Sequence, residues 1–145
     1  MKYFKPNEFQ GWYEQLEPSL KTKLDKFREE WGDIVKVSPV GGAVGRNLGP
    51  DNQSKHNVDY WGEVLAVDLM PKGMILVEDM NRAMSVAKDC GFTGIGIYPF
   101  WLPQPGIHVD VRPGTRVAQW GAIPNREKGG QRYVSVEEAL QAYRS

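Results

Sequence analysis

Residues 54–70 read SKHNVDYWGEVLAVDLM, and the rest of the chain is best taken outward from them. The stretch holds one of only two histidines, His56, and closes on EVLAVDLM, where apolar residues carry a single aspartate, Asp68. A short apolar run bounded by turn residues predicts a strand. The second histidine, His108, lies in GIHVDVRP (Gly106 to Pro113), again a short β-like run that carries an acid. Alternation along a strand puts every second side chain on one face. His108 and Asp110 therefore share a face opposite Ile107, Val109 and Val111, while Asp68 shares one with Ala66 and Val64. If these two strands pair antiparallel in the centre of a sheet, Asp68 and His108 become cross-strand neighbours, with the small Ala66 leaving room. His56, beside a loop, can then swing in. Two His and one Asp from separate segments are the ligand set of an open Zn2+ site, with a fourth position left for water. The competing reading is a satisfied polar pair, with Asp110 orienting His108 and Asp68 an ordinary acid near a turn.

The chain has 145 residues, enough for one domain with a sizeable core, and we read residues 1–145 as a single unit. Eighteen basic and eighteen acidic residues cancel, which points away from a nucleic-acid footprint and from a basic membrane patch. The one cysteine, Cys90, excludes an intrachain disulfide and a cysteine-rich metal site, and is expected to be buried packing. The opening MKYFKPNEF lacks the apolar core of a signal peptide, and no later run has the length of a membrane span. Synthesis in the cytoplasm is expected, and any action outside requires delivery by something else.

Around the central stretch the elements alternate. A helix is predicted from Pro18, with Leu20, Leu24, Phe27 and Trp31 at i, i+4, i+7 and i+11 and Gly32 as its stop. Ile34 to Ser38 reads as a short strand, followed by the loop PVGGAVGRNLGPDNQ (Pro39 to Gln53). That loop lacks the lysine-plus-hydroxyl pair of a phosphate loop, and is expected to present Arg46 to a cleft. A second helix from about Leu76 to Cys90 buries Val77, Met80, Met84 and Ala87; the strand FTGIGIYPF (Phe92 to Phe100) follows it. NREKGGQ (Asn125 to Gln131) forms a polar turn, and the S-x-x-E box Ser135 to Glu138 opens a last helix. The fold expected is α+β, a small central antiparallel sheet flanked by helices.

The order of these motifs resembles the LAS-type zinc peptidases: D-alanyl-D-alanine carboxypeptidases and dipeptidases, phage L-alanyl-D-glutamate endopeptidases, and their hedgehog-like relatives. The likeness runs from FKPNEF (Phe4 to Phe9) through LDKFREEWG and the Ser38, Arg46, Asn47 loop. It continues with S-x-H and A-x-D at Ser54, His56, Ala66 and Asp68, then GIHVDVR and Trp120, and so covers residues 3 to about 121. The resemblance implies a hedgehog-like fold with zinc on His56, Asp68 and His108. It also implies Arg46 on a substrate carboxylate or carbonyl, and Ser54 supporting the site. The activity implied is cleavage of a peptide bond in bacterial peptidoglycan cross-bridges by a phage-encoded endolysin or virion protein. Such a protein would be a monomer or part of a particle, acting at the wall after release.

Two departures stand against the pattern. Asp68 lies twelve positions after His56 where the family has seven, so Tyr60 and Trp61 belong to an extra loop that could line a substrate pocket. The catalytic acid normally sits three residues before the second histidine, where this chain has Pro105. Asp110 is the nearest substitute base, its other role being a partner of His108 or Arg112; Glu63 is a weaker candidate. The alternative function is a peptidase-fold relative without catalysis, a virion structural or wall-binding protein.

Overall fold

Glu17 and Pro18 start the first long helix, α1 (Pro18–Trp31). The Glu17 carboxylate accepts from Leu20 N at 3.2 Å, and proline has no N–H to lose in a first turn. Gly32 ends it in the left-handed region at φ +83°, and the expected stripe Leu20, Leu24, Phe27 and Trp31 is buried. In this computed structural model, which describes residues 1–144, the other helices are α2 (Val58–Trp61), α3 (Val77–Asp89) and α4 (Val136–Arg144). Ser135 Oγ accepts from Glu138 N at 3.0 Å at the head of α4, as the S-x-x-E box requires.

The strands are β1 (Val35–Val37), β2 (Ala66–Pro71), β3 (Gly94–Tyr98), β4 (Gly106–Asp110), β5 (Ala118–Pro124) and β6 (Gln131–Val134). They form a six-stranded sheet in the order β1-β2-β4-β3-β5-β6. The fold is therefore α+β, but the sheet is mixed, a correction to the antiparallel sheet expected: β3 and β5 run parallel. The reason is topological. β2 already occupies one edge of β4 and β3 the other, so the chain leaving β4 must pass round β3. It meets the free edge of β3 in the same direction. β5 and β6, joined through the polar Asn125–Gly130 turn, had not been expected as strands.

The two faces of the sheet differ in chemistry. Val67, Leu69, Ile95, Ile97, Ile107 and Val109 join α1, α3 and α4 in the core. At Gly121 a Cβ would lie 2.4 Å from Ala139 Cβ, so α4 seats directly on the strand. Cys90 is buried in this core, and burial pushes its thiol up to about 11, leaving it unreactive. The opposite face carries Ala66, Asp68, Gly94, Gly96, His108, Asp110 and Trp120, and opens into a cleft. No helix among the described residues is long and apolar enough to cross a membrane.

Candidate metal centre

Strand register does the first part of the assembly. Asp68 stands directly opposite His108 and Ala66 opposite Asp110 across β2 and β4, as the alternation predicted. On the other side of β4, Gly96 faces His108 and Gly94 faces Asp110. Glycine weakens a strand, and in this position it marks a close approach. A Cβ on Gly94 would lie 2.1 Å from Asp110 Oδ2, and one on Gly96 2.4 Å from Trp120 Nε1. Side chains from both neighbouring strands thus lie over β3, which has nothing there to displace them.

His56 arrives by a different route. The Pro39–Gln53 loop folds back beside it: Arg46 N donates to His56 O at 2.8 Å, and Val58 N donates to Arg46 O at 3.0 Å. Asn57, fully buried, pins the loop by donating to Gly49 O and Asn52 O and accepting from Leu48 N. The same loop supplies Val44 O, 2.7 Å from His56 Nδ1. A carbonyl only accepts, so Nδ1 carries the hydrogen and Nε2 of the neutral ring turns its lone pair toward Asp68.

His108 is oriented by the same logic. Its Nε2 lies 2.7 Å from Asp110 Oδ2, a carboxylate oxygen that can only accept, and this leaves Nδ1 toward Asp68 Oδ1 at 3.1 Å. His56 Nε2 is 3.4 Å from that same oxygen. In the neutral state of both rings, two nitrogen lone pairs and a carboxylate converge with no hydrogen between them. Buried polar groups need a partner, and here it must be a proton or a cation. His56, Asp68 and His108 are all buried, offer ligand atoms within 4.8 Å of one another, and could hold a metal ion.

The charges respond accordingly in the ion-free chain. Burial opposes a charge on Asp68, but His56 and His108 outweigh it and lower the carboxyl to about 2. Burial also opposes a charge on His108, but hydrogen bonds to Asp110 and Asp68 outweigh it and raise the imidazolium to about 9. Asp110 is fully buried; burial is again outweighed, chiefly by Arg112, and its carboxyl sits well below the usual range. Arg112 grips it with Nε at 2.9 Å and Nη2 at 2.7 Å, and lies 5.0 Å over the Trp120 ring.

The cleft at this centre has a volume of about 510 Å³. Arg46, Ser54, Lys55, Tyr98, Trp101, Trp120 and Tyr133 line it together with the histidines and Asp68. Arg46 is held by its Nε to Gly42 O at 2.7 Å, and it has no carboxylate partner among the described residues. Ser54 Oγ accepts from His56 N at 3.3 Å and so shapes the turn into that histidine. Tyr60 and Trp61 do not line the cleft: they stack edge-on at 4.8 Å, and Trp61 Nε1 donates to Ser54 O at 3.0 Å, bracing the loop from behind. Glu63 does not line the cleft, and Asp110 points at His108 and Arg112. Lys55, Tyr98, Trp101 and the Val44 carbonyl were not anticipated. The alternate glycines of GIGIY, facing His-x-Asp across a strand pair, were the legible sign of crowding here.

No protein-family model, curated protein or solved structure matches this chain.

Proposed function

We propose that this chain is a zinc-dependent peptidase of hedgehog-like fold that hydrolyses a peptide bond in bacterial peptidoglycan cross-bridges, of the kind phages encode. The observation that carries the reading is the convergence of His56 Nε2, His108 Nδ1 and Asp68 Oδ1 at the floor of an open cleft. Ligands about 2 Å from a tetrahedral ion lie roughly 3.3 Å apart. The N···O separations of 3.4 and 3.1 Å fit that spacing. Two imidazoles and a carboxylate would leave a four-coordinate ion one further position. The substrate class rests on the motif order, from Phe4 to Trp120, and is a proposal on that footing.

When bound, zinc supplies Lewis-acid polarisation of a carbonyl and lowers the pKa of coordinated water. Arg46, part-buried at the cleft wall and without a carboxylate partner among the described residues, donates to the oxygen on which negative charge develops. Asp110 holds Nε2–H of His108 and thereby presents Nδ1; Arg112 keeps Asp110 ionised and in place. Asp110 is a positioning residue in this arrangement, since both of its oxygens are engaged away from the cleft.

That engagement also favours the second reading, a wall-binding or virion component that keeps the ion without hydrolysis. Pro105 stands where the family has its acid, and Asp68 is the only carboxylate lining the cleft among the described residues. Purified peptidoglycan incubated with the zinc-loaded chain, with and without chelator, separates the two. Chelator-sensitive release of new amino termini supports the peptidase; a stoichiometric zinc content without release supports the binder.

A further inference from the structure

A second hollow adjoins the candidate metal centre. It holds about 360 Å³, and Asp68, Arg46, Trp101 and Gln131 line both it and the main cleft. Ser38, Val40, Ala43, Phe100 and Leu102 belong to the hollow alone. Its floor is tied to the ligand strand itself: Ser38 N donates to Asp68 O at 2.9 Å, and Asp68 N donates to Ala43 O at 2.8 Å. The walls are braced from outside. Trp101 stacks on Tyr98 at 3.9 Å and sits over Gly106, where a Cβ would fall 2.3 Å from its Cε3. Phe100 meets the Tyr143 ring edge-on at 5.7 Å, and Tyr143 donates its hydroxyl to Ile75 O at 2.6 Å. The hollow is thus shaped by contacts of the chain alone.

Its apolar walls are left in water. Val40 is 58%, Phe100 39% and Leu102 79% exposed, and all three line one concavity, where large apolar side chains at a surface are ordinarily scattered. The polar groups there are committed or neutral. Ser38 Oγ accepts from Val40 N at 3.3 Å, Asp68 faces the two histidines, and Gln131 carries no charge. Arg46 is the one cation lining the hollow among the described residues. A basic side chain entering would meet no free carboxylate, and an acidic one only Arg46, which the reacting carbonyl already claims. An apolar side chain gains by covering Val40, Phe100 and Leu102, and a mere methyl group covers little of them.

We propose that this hollow is a specificity subsite for one large apolar side chain, of leucine or phenylalanine size, next to the carbonyl held at the centre. Peptides carrying such a residue are then a class of ligand for this chain beyond wall peptides. The specificity residues are Val40, Ala43, Phe100 and Leu102, with Trp101 as the wall shared with the main cleft. This rests on the metal-centre part of the peptidase reading and not on its wall substrate.

The test measures binding, not turnover. Hydroxamic acids grip zinc through two oxygens and can carry different tails. Acetohydroxamic acid, isocaproic hydroxamic acid and glutaric monohydroxamic acid offer a methyl, a branched apolar tail and an acid-ended tail of similar length. Each is titrated into the zinc-loaded chain by calorimetry. At about threefold per methylene covered, the isocaproic probe is expected to bind about 30-fold more tightly than the acetic one, with the glutaric probe within about threefold of the acetic one. Val40→Ser combined with Leu102→Ser, both at exposed positions, should cut the gap to about fivefold. Zinc content and acetohydroxamate affinity should stay as in the parent. Equal affinities of the isocaproic and acetic probes, a glutaric probe as tight as the isocaproic one, or the full gap surviving the double substitution overturns the subsite, as does a chain that takes up no zinc. A gap that behaves as expected in a chain that cuts no peptidoglycan sustains the subsite and removes the wall substrate; cutting without a gap does the reverse.

Discussion

Replacing Asp110 by asparagine is the sharpest perturbation of the centre, because it changes one atom and no volume. Asp110 Oδ1 accepts from Arg112 N at 3.0 Å and Nε at 2.9 Å; Oδ2 accepts from His108 Nε2 and Arg112 Nη2, each at 2.7 Å. Asparagine offers one oxygen. Whichever way the amide is turned, its NH2 faces two donors, so two charge-assisted contacts are lost at roughly 1.5 kcal/mol each. Arg112 is 26% exposed, water recovers part of that, and a net loss of about 2 kcal/mol is expected. Urea unfolding of the zinc-free protein should show it as a midpoint lowered by about 1 M. The second effect is on the ion. If the amide NH2 faces His108, Nε2 must accept and the hydrogen moves to Nδ1, the atom needed for ligation. Zinc affinity by chelator competition should then fall about 10- to 100-fold. A midpoint that does not move, with affinity within about twofold of the parent, refutes the idea that Asp110 orients His108.

Three other outcomes are expected. His108→Ala should abolish stoichiometric zinc in elemental analysis, and full occupancy would remove His108 from the ligand set. Arg46→Ala should lower turnover on peptidoglycan about 10²-fold or more with zinc content unchanged, since one oxyanion donor is worth that much; parental kinetics would reject its role. Zinc affinity should weaken as pH falls: His108 titrates at about 9 in the ion-free chain, so below that pH the ion must displace its proton. The sign follows from the raised value, since the protonated form dominates on the acid side and competes. Chelator competition from pH 8.5 down to 6.5 should show about a tenfold loss per unit from this proton, and a flat profile would contradict it.

The central strands were legible in the sequence because both carry a local period. Alternation in GIHVDVR places His108 and Asp110 together, and the same rule in AVDLM places Asp68 beside Ala66, so their opposition across β2 and β4 needed only pairing. The helices were legible for the same kind of reason, through a 3.6-residue stripe and recognisable ends at Pro18, Gly32 and Ser135. β5 and β6 were not, because AQWGAIP and QRYV are half-exposed, and a strand whose faces are unevenly buried shows no clean pattern.

What the chain order determined by itself was which residue types face which way within each element. Only the tertiary structure decided which nitrogen of each imidazole faces Asp68. That choice belongs to Val44 O, twelve residues before His56 and outside any regular element, and to Asp110, itself held by Arg112. It likewise decided that Trp61 braces a loop instead of lining the cleft, and that Lys55 and Arg112 both line it. Local periodicity follows from backbone geometry, which is the same for every chain. Tautomer, hydrogen-bond direction and charge pairing depend on distances between segments far apart in sequence, and those distances exist only once the core has closed beneath the sheet.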